Sequence, residues 1–249
     1  MRKGWLIAFA GTGLNLILGV IYAWSVFKAT LVAPLEKGGY GWTDTMATSP
    51  YACAIVVWAV LMIPAGRLQD KFGPRVVATL GALSLGLGLF ITSFSAPVPE
   101  GVNALSLSFW DQIMLAWPAM IGIGIFAGGG MGLGYACPTP AAMKWFPSTM
   151  KGRVTGVVIA GMGFATVYIA PLASYLISTH GIVSSFKILA VAFAIAGATF
   201  AQILRNPPVG YVPEPDLKAK PPLVRSAANS GIDRPWTYMV KTPIFYLIW

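Results

Sequence analysis

Gly66-Arg67-Leu68-Gln69-Asp70-Lys71-Phe72-Gly73-Pro74-Arg75 stands between two hydrophobic runs, residues 47–65 and 76–95. Each run is long enough to cross a bilayer. The stretch between them is short, charged and punctuated by glycine. Lysine and arginine gather in the short inner loops of membrane proteins, and glycine and proline make turns. Those tendencies account for Lys71 and Arg75. They do not account for Asp70, which sits at a fixed offset from both glycines.

Composition agrees with a membrane chain. Hydrophobic residues make up 56% of the 249 and charged residues only 10%, where a soluble domain carries about 25% charged residues. Six apolar spans can be read, at residues 6–27, 47–65, 76–95, 113–136, 154–176 and 186–204. Each should be helical, because an isolated strand leaves its backbone polar groups unsatisfied in lipid. The first span follows Met1-Arg2-Lys3, but it is too long for a signal peptide and lacks a clear small-residue cleavage site. Spans 1–3 and 4–6 show no obvious residue-level repeat.

The formal charge of +9 could suggest nucleic acid, but its distribution points elsewhere. With the N-terminus inside, fourteen of the seventeen Lys and Arg residues fall in inner segments; Lys28, Lys37 and Lys187 are the outer three. This positive-inside bias places the N-terminus in the cytoplasm and outer loops at 28–46, 96–112 and 177–185. The excess charge reads as topology, and nucleic acid is not an expected partner. Two cysteines, Cys53 and Cys137, make no disulfide framework and should lie near opposite ends of their spans.

Residues 205–242 are polar, basic and proline-rich, as expected of a cytoplasmic linker. Pro243-Ile244-Phe245-Tyr246-Leu247-Ile248-Trp249 then begins a new apolar run, with proline suited to a helix start. Seven residues cover about 10 Å of helix, a third of the hydrocarbon core. The expected organisation is therefore a six-helix bundle at 1–204, a linker at 205–242, and the start of a truncated seventh helix at 243–249.

The charged turn resembles the loop between helices 2 and 3 of the major facilitator superfamily of transporters. That family's pattern is Gly, three residues, Asp, Arg/Lys, one residue, Gly, Arg/Pro, Arg/Lys. Gly66, Asp70, Lys71, Gly73, Pro74 and Arg75 fill it. Four segments in the right order also resemble the oxalate:formate antiporter family: Gly19-Val20-Ile21-Tyr22-Ala23-Trp24-Ser25-Val26-Phe27, Pro64 through Arg75, Lys144-Trp145-Phe146-Pro147, and Lys241-Thr242-Pro243 with Phe245-Tyr246. Monocarboxylate transporters share the turn and are the nearest neighbour. The resemblance implies an all-α membrane protein: the six-helix N-terminal half of the superfamily fold plus the start of helix 7. It implies that the turn holds two halves together in one state and releases them in another. It also implies that tyrosines of the first-half helices line an anion pocket whose cations come from the second half.

As drawn, the six spans contain no Asp, Glu, Arg or His, and Lys187 sits at a boundary. Intramembrane charges usually mark ion pathways, so no embedded carboxylate is expected to couple protons here. What remains for a cavity wall is polar and aromatic. In span 1, Gly11, Asn15, Leu18/Gly19, Tyr22 and Ser25 share a helical face; in span 5, Gly161, Ala165, Tyr168, Leu172 and Tyr175 do the same. The substrate-cavity candidates are Asn15, Tyr22, Tyr51, Tyr135 and Tyr168. A tyrosine hydroxyl can donate to a carboxylate, although Tyr and Trp also gather at membrane interfaces. Trp24 is expected to meet lipid or the interface. The glycines of span 4, from Gly122 to Gly134, lack the strand and lysine of a phosphate loop and should serve close helix packing. His180 is expected in an outer turn, without companions for a metal or a triad.

No acid, base, nucleophile or metal cluster lies in a span, so neither catalysis nor a cofactor is expected. The leading expectation is half of a secondary transporter of small carboxylates resembling oxalate, formate or lactate. It would lie in the plasma membrane and work by alternating access with a missing C-terminal half or another copy. The alternative is a non-transporting six-helix subunit or scaffold that pairs with itself or a second half. A cysteine placed at Ser178 tests the orientation. An impermeant thiol reagent should label it from outside the cell, and labelling from the cytoplasmic side alone would reverse the topology.

Overall fold

The computed structural model describes residues 2–99, 101–208, 210–213, 238 and 241–248, and among these the regular structure is helical throughout. Helix α1 runs Arg2–Val32 and stops before Pro34, where a pre-proline residue disfavours helix. Helix α2, Asp44–Phe72, starts where the Thr43 hydroxyl accepts from the Met46 N–H at 3.2 Å. Helix α3, Pro74–Thr92, places proline in its first turn. Helix α4 spans Trp117–Met143. A helical stretch Lys151–Ile203 follows, interrupted at Gly181, so it is two helices, α5 at 151–180 and α6 at 182–203. Six membrane-length helices result, all within the compact unit Met1–Pro215. In the separate unit Asp216–Trp249, helix α7 covers Pro243–Ile248. Most of the proline-rich stretch expected to be a linker lies outside the described residues.

Helices α1, α2 and α5 overrun the apolar spans read from sequence at both ends, because helical hydrogen bonding and capping continue past the last apolar residue. The outer loop expected at 28–46 shrinks to 33–43, whereas the connection between α3 and α4, expected at 96–112, covers 93–116. The loop expected at 177–185 reduces to one non-helical residue, Gly181 (φ 76°, ψ 166°). The α2–α3 turn is also one residue, Gly73 (φ 83°, ψ 161°). This backbone region is essentially restricted to glycine. The two corners, 2–3 and 5–6, therefore share one geometry although no repeat is visible in the residues around them.

Helix α4 sits between α2 and α3 with backbones in direct contact. A Cβ on Gly128 would lie 2.6 Å from the Ala54 carbonyl oxygen of α2, and one on Gly130 would lie 2.6 Å from the Leu85 amide nitrogen of α3. Lipid gives no hydrophobic drive between helices, so close van der Waals approach must hold them together. Helix α6 meets α3 in the same way through Gly86 and Gly197, and Gly13 of α1 faces Phe200. Two helices depart from α geometry. Residues Gly19–Ala23 of α1 tighten to a 3₁₀ turn, and Met120–Ala127 of α4 widen to a π-helix. The Ser84 hydroxyl of α3 donates to the Phe126 carbonyl in that widened segment at 2.7 Å.

Trp24 corrects an expectation. It does not face lipid: it is 5% exposed, and its indole N–H donates to the Ala47 carbonyl of α2 at 2.8 Å. Small residues of α2 leave room for the ring, and the indole finds a backbone acceptor inside the bundle.

Gly128→Val and Gly130→Val should each lower stability by about 1–3 kcal/mol through overpacking. Gly156, whose Cβ position is open, provides the contrast: Gly156→Ala should hold or raise stability by up to about 1 kcal/mol. Thermal unfolding in detergent measures all three.

Candidate functional site

Tyr22 of α1 is the meeting point of the tyrosine candidates: it lines one concavity with Tyr135 of α4 and another with Tyr51 of α2. Tyr22 is 42% exposed and stands between two concavities. The larger, about 610 Å³, is lined by Tyr22, Trp58, Tyr135, Met162, Gly163 and Thr166, among other residues. The smaller, about 250 Å³, is bordered by Tyr22, Ser25, Lys28, Thr48 and Tyr51 with Ile21 and Trp24. Neither lining contains an aspartate or glutamate. Trp58 meets Tyr135 edge-on at 5.6 Å, and its buried indole N–H has no partner among the described residues. The face thus offers hydroxyl and indole donors on aromatic walls, a surface suited to an acceptor-rich anion.

The other two cavity candidates lie elsewhere. Asn15 is fully buried in the α1–α5 seam, where its amide donates to the Val158 carbonyl at 2.8 Å. The Tyr168 hydroxyl donates to the Leu16 carbonyl at 3.0 Å. Thr12 adds a third link, to the Val157 carbonyl at 3.0 Å. The face that carries Gly11, Asn15 and Gly19 is therefore a packing seam against α5 and Pro138. Tyr22 departs from it because the residues from Gly19 to Tyr22, at 3.0 per turn instead of 3.6, advance the helix by about 80° more than α geometry would.

Trp58, Thr48 and Lys28 were missed by the sequence reading. Trp58 lies seven residues after Tyr51 on the same face of α2, which is a usable helical signal. Hydropathy puts Lys28 in an outer loop; the helix carries on through it to Val32.

The charged turn separates into three parts. Gly73 supplies the positive φ that the corner needs, whereas the Cβ position of Gly66 is open. Arg75 reaches across to the end of α6, its Nε donating to the Leu204 carbonyl at 3.2 Å, where a cation also complements the helix C-terminus. Asp70 and Lys71 are exposed; the Lys71 ammonium lies 5.3 Å from the Phe72 ring centre. Among the described residues Asp70 has no hydrogen-bond or ion-pair partner. Beside Arg75, the Trp145 indole donates to the Arg205 carbonyl at 2.8 Å and Lys144 to the Asn206 side chain at 3.3 Å. The Lys-Trp-Phe-Pro segment thus closes the end of α6, with Phe146 buried against Trp5.

Comparison with known proteins agrees with this architecture. The chain belongs to the Major Facilitator Superfamily, whose family model matches residues 5–249. It is 26% identical to an uncharacterised MFS-type transporter, YhjX, of Escherichia coli, over 80% of this chain and 44% of the relative. It is 24% identical to the oxalate:formate antiporter of Oxalobacter formigenes, over 94% of this chain and 47% of the relative. It is 28% identical to a probable chloroplastic anion transporter, number 4, of Arabidopsis thaliana, over 70% of this chain and 30% of the relative. The chain spans about half the length of the first two of these relatives. They are transporters, not enzymes.

Arg75→Gln should lower stability by about 1–2 kcal/mol, since it removes a charge-assisted hydrogen bond and the cation at the α6 end. Asp70→Asn should leave stability of this chain unchanged within about 0.5 kcal/mol, as an exposed side chain without a partner. Melting curves of the two variants check the contrast, and equal losses would contradict it.

Proposed function

We propose that this chain forms one half of a translocation path for small carboxylates in the plasma membrane, with its N-terminus in the cytoplasm. The observation that carries the reading is the concavity of about 610 Å³ between α1, α2, α4 and α5, walled by Tyr22, Trp58 and Tyr135 with no acidic residue. Aromatic walls exclude water while hydroxyl and indole donors meet carboxylate oxygens. The relative named as an oxalate:formate antiporter supports this substrate class. The likeness to a probable anion transporter supports anions more broadly.

The mechanism in this reading is alternating access, in which two rigid halves rock about a site near the bilayer midplane. Tyr22, Tyr51 and Tyr135 contribute this half's side of that site. Asn15 and Tyr168 act one step back by fixing α1 against α5. The Gly66–Arg75 turn is the conformational gate: Gly73 and Arg75 shape and anchor it within this half, and Asp70 with Lys71 presents charge to the surface that docks and releases. Pro74 starts α3 where the corner ends. The completing surface is a C-terminal half or another copy of this chain.

This chain by itself should not transport. Liposomes reconstituted with the 249-residue protein and loaded with labelled oxalate, formate or lactate should show no saturable exchange above empty-liposome background. Co-reconstitution with the C-terminal half of a homologous carboxylate transporter should restore exchange. Saturable exchange by the chain alone would replace this reading with a self-paired dimer in which two copies build the path.

A further inference from the structure

Lys28 lies in the last third of α1 and turns inward to the smaller concavity, not outward to lipid. Tyr22, Ser25 and Lys28 recur every three residues along one face, opposite Thr48 and Tyr51 on α2. The Thr48 hydroxyl oxygen is buried and without a partner among the described residues. Lys28 is paired with Asp44 at the first turn of α2, Nζ to Oδ1 at 2.9 Å. The two partners are unequally placed. The Lys28 side chain is 31% exposed and Asp44 79%. The carboxylate of the pair is thus the one already in water, and the ammonium is the one held by the pocket.

From this juxtaposition we infer that the pocket formed by Ser25, Lys28, Thr48 and Tyr51 is a carboxylate-binding subsite beside the tyrosine face, in which an incoming substrate carboxylate takes the place of Asp44 on the Lys28 ammonium. The inference rests on the carboxylate reading above and deepens it by giving this half its own counter-charge. A carboxylate in the concavity accepts from Lys28, Thr48 and Tyr51, and charge-assisted bonds of this kind are the strong ones. Asp44, released, stays solvated, so the exchange of partners exposes no buried charge. Asp44 therefore acts as a resident competitor that occupies Lys28 until substrate arrives. Tyr22 borders both concavities, which gives a bound anion a continuous donor surface from this subsite to the larger cavity.

The two halves of the ion pair should then respond in opposite directions. Binding of labelled oxalate to the 249-residue chain in lipid nanodiscs reads the effect. Lys28→Gln should weaken binding by about tenfold or more, through loss of a charge-assisted contact, and Lys28→Arg should retain most of it. Asp44→Asn should tighten binding by about threefold, because removing a competitor raises the fraction of sites ready to bind. Lys187→Gln, an exposed lysine of α6, should change nothing. Melting curves confirm that each variant is folded. Equal weakening by Lys28→Gln and Asp44→Asn would make the pair a structural tie and overturn the inference. So would inorganic phosphate competing as well as oxalate, which marks a general anion or lipid-headgroup site. Wild-type binding that survives Lys28→Gln overturns the subsite and leaves the carboxylate reading in place, whereas no carboxylate binding to the wild type overturns both.

Discussion

Contact between helix backbones is the constraint on which the rest of this bundle depends. In lipid, apolar side chains gain little by leaving one hydrocarbon environment for another, so helices are held by dispersion and close approach. Glycine is the means. At Gly128 and Gly130 there is no room for even a methyl group, which places α4 directly between α2 and α3. Tyr135 and Trp58 meet because that crossing fixes the separation of their helices.

A second requirement follows from the same medium. Backbone groups released where a helix changes geometry must find partners inside the protein. The tightened turn of α1 is met by Tyr168 at Leu16, the widened segment of α4 by Ser84 at Phe126, and the end of α6 by Arg75 at Leu204. These polar side chains sit in or beside the membrane-length helices as supports for irregular backbone. Two of them, Arg75 and Tyr168, belong to segments that sequence reasoning tied to function, so structural support and proposed transport roles overlap on the same residues.

The helix count, the turn at Gly66–Arg75 and the packing use of the span 4 glycines were legible in the sequence, because hydropathy and small-residue runs report directly on burial in lipid. The grouping of Tyr22, Tyr51 and Tyr135 was named residue by residue but could not be assembled without the crossings that juxtapose α1, α2 and α4. Uniform helical periodicity puts Asn15 on the face of Tyr22, and the 3₁₀ turn at Gly19–Ala23 breaks that periodicity; Tyr168 lies on α5, and its hydroxyl bond to the Leu16 carbonyl depends on a helix crossing that the spacing within one helix does not show. Trp24 was misplaced for a different reason: composition cannot tell an indole at the interface from one with a backbone acceptor inside the bundle. Lys28 was hidden by hydropathy, which ends a span at the first charge even when the helix does not end there.

The corners at Gly73 and Gly181 have a mechanical meaning. Each joins two long helices through a single residue, so α2 with α3, and α5 with α6, have no slack between them at the joined end. Each pair is joined without a connecting loop. The longer connections are elsewhere, at 33–43 after α1, at 93–116 before α4 and at 144–150 after it. These two helices carry the departures from α geometry, at Gly19–Ala23 and Met120–Ala127. Compliance is thereby concentrated in the two helices that present Tyr22 and Tyr135, while the directly joined pairs around them serve as the frame.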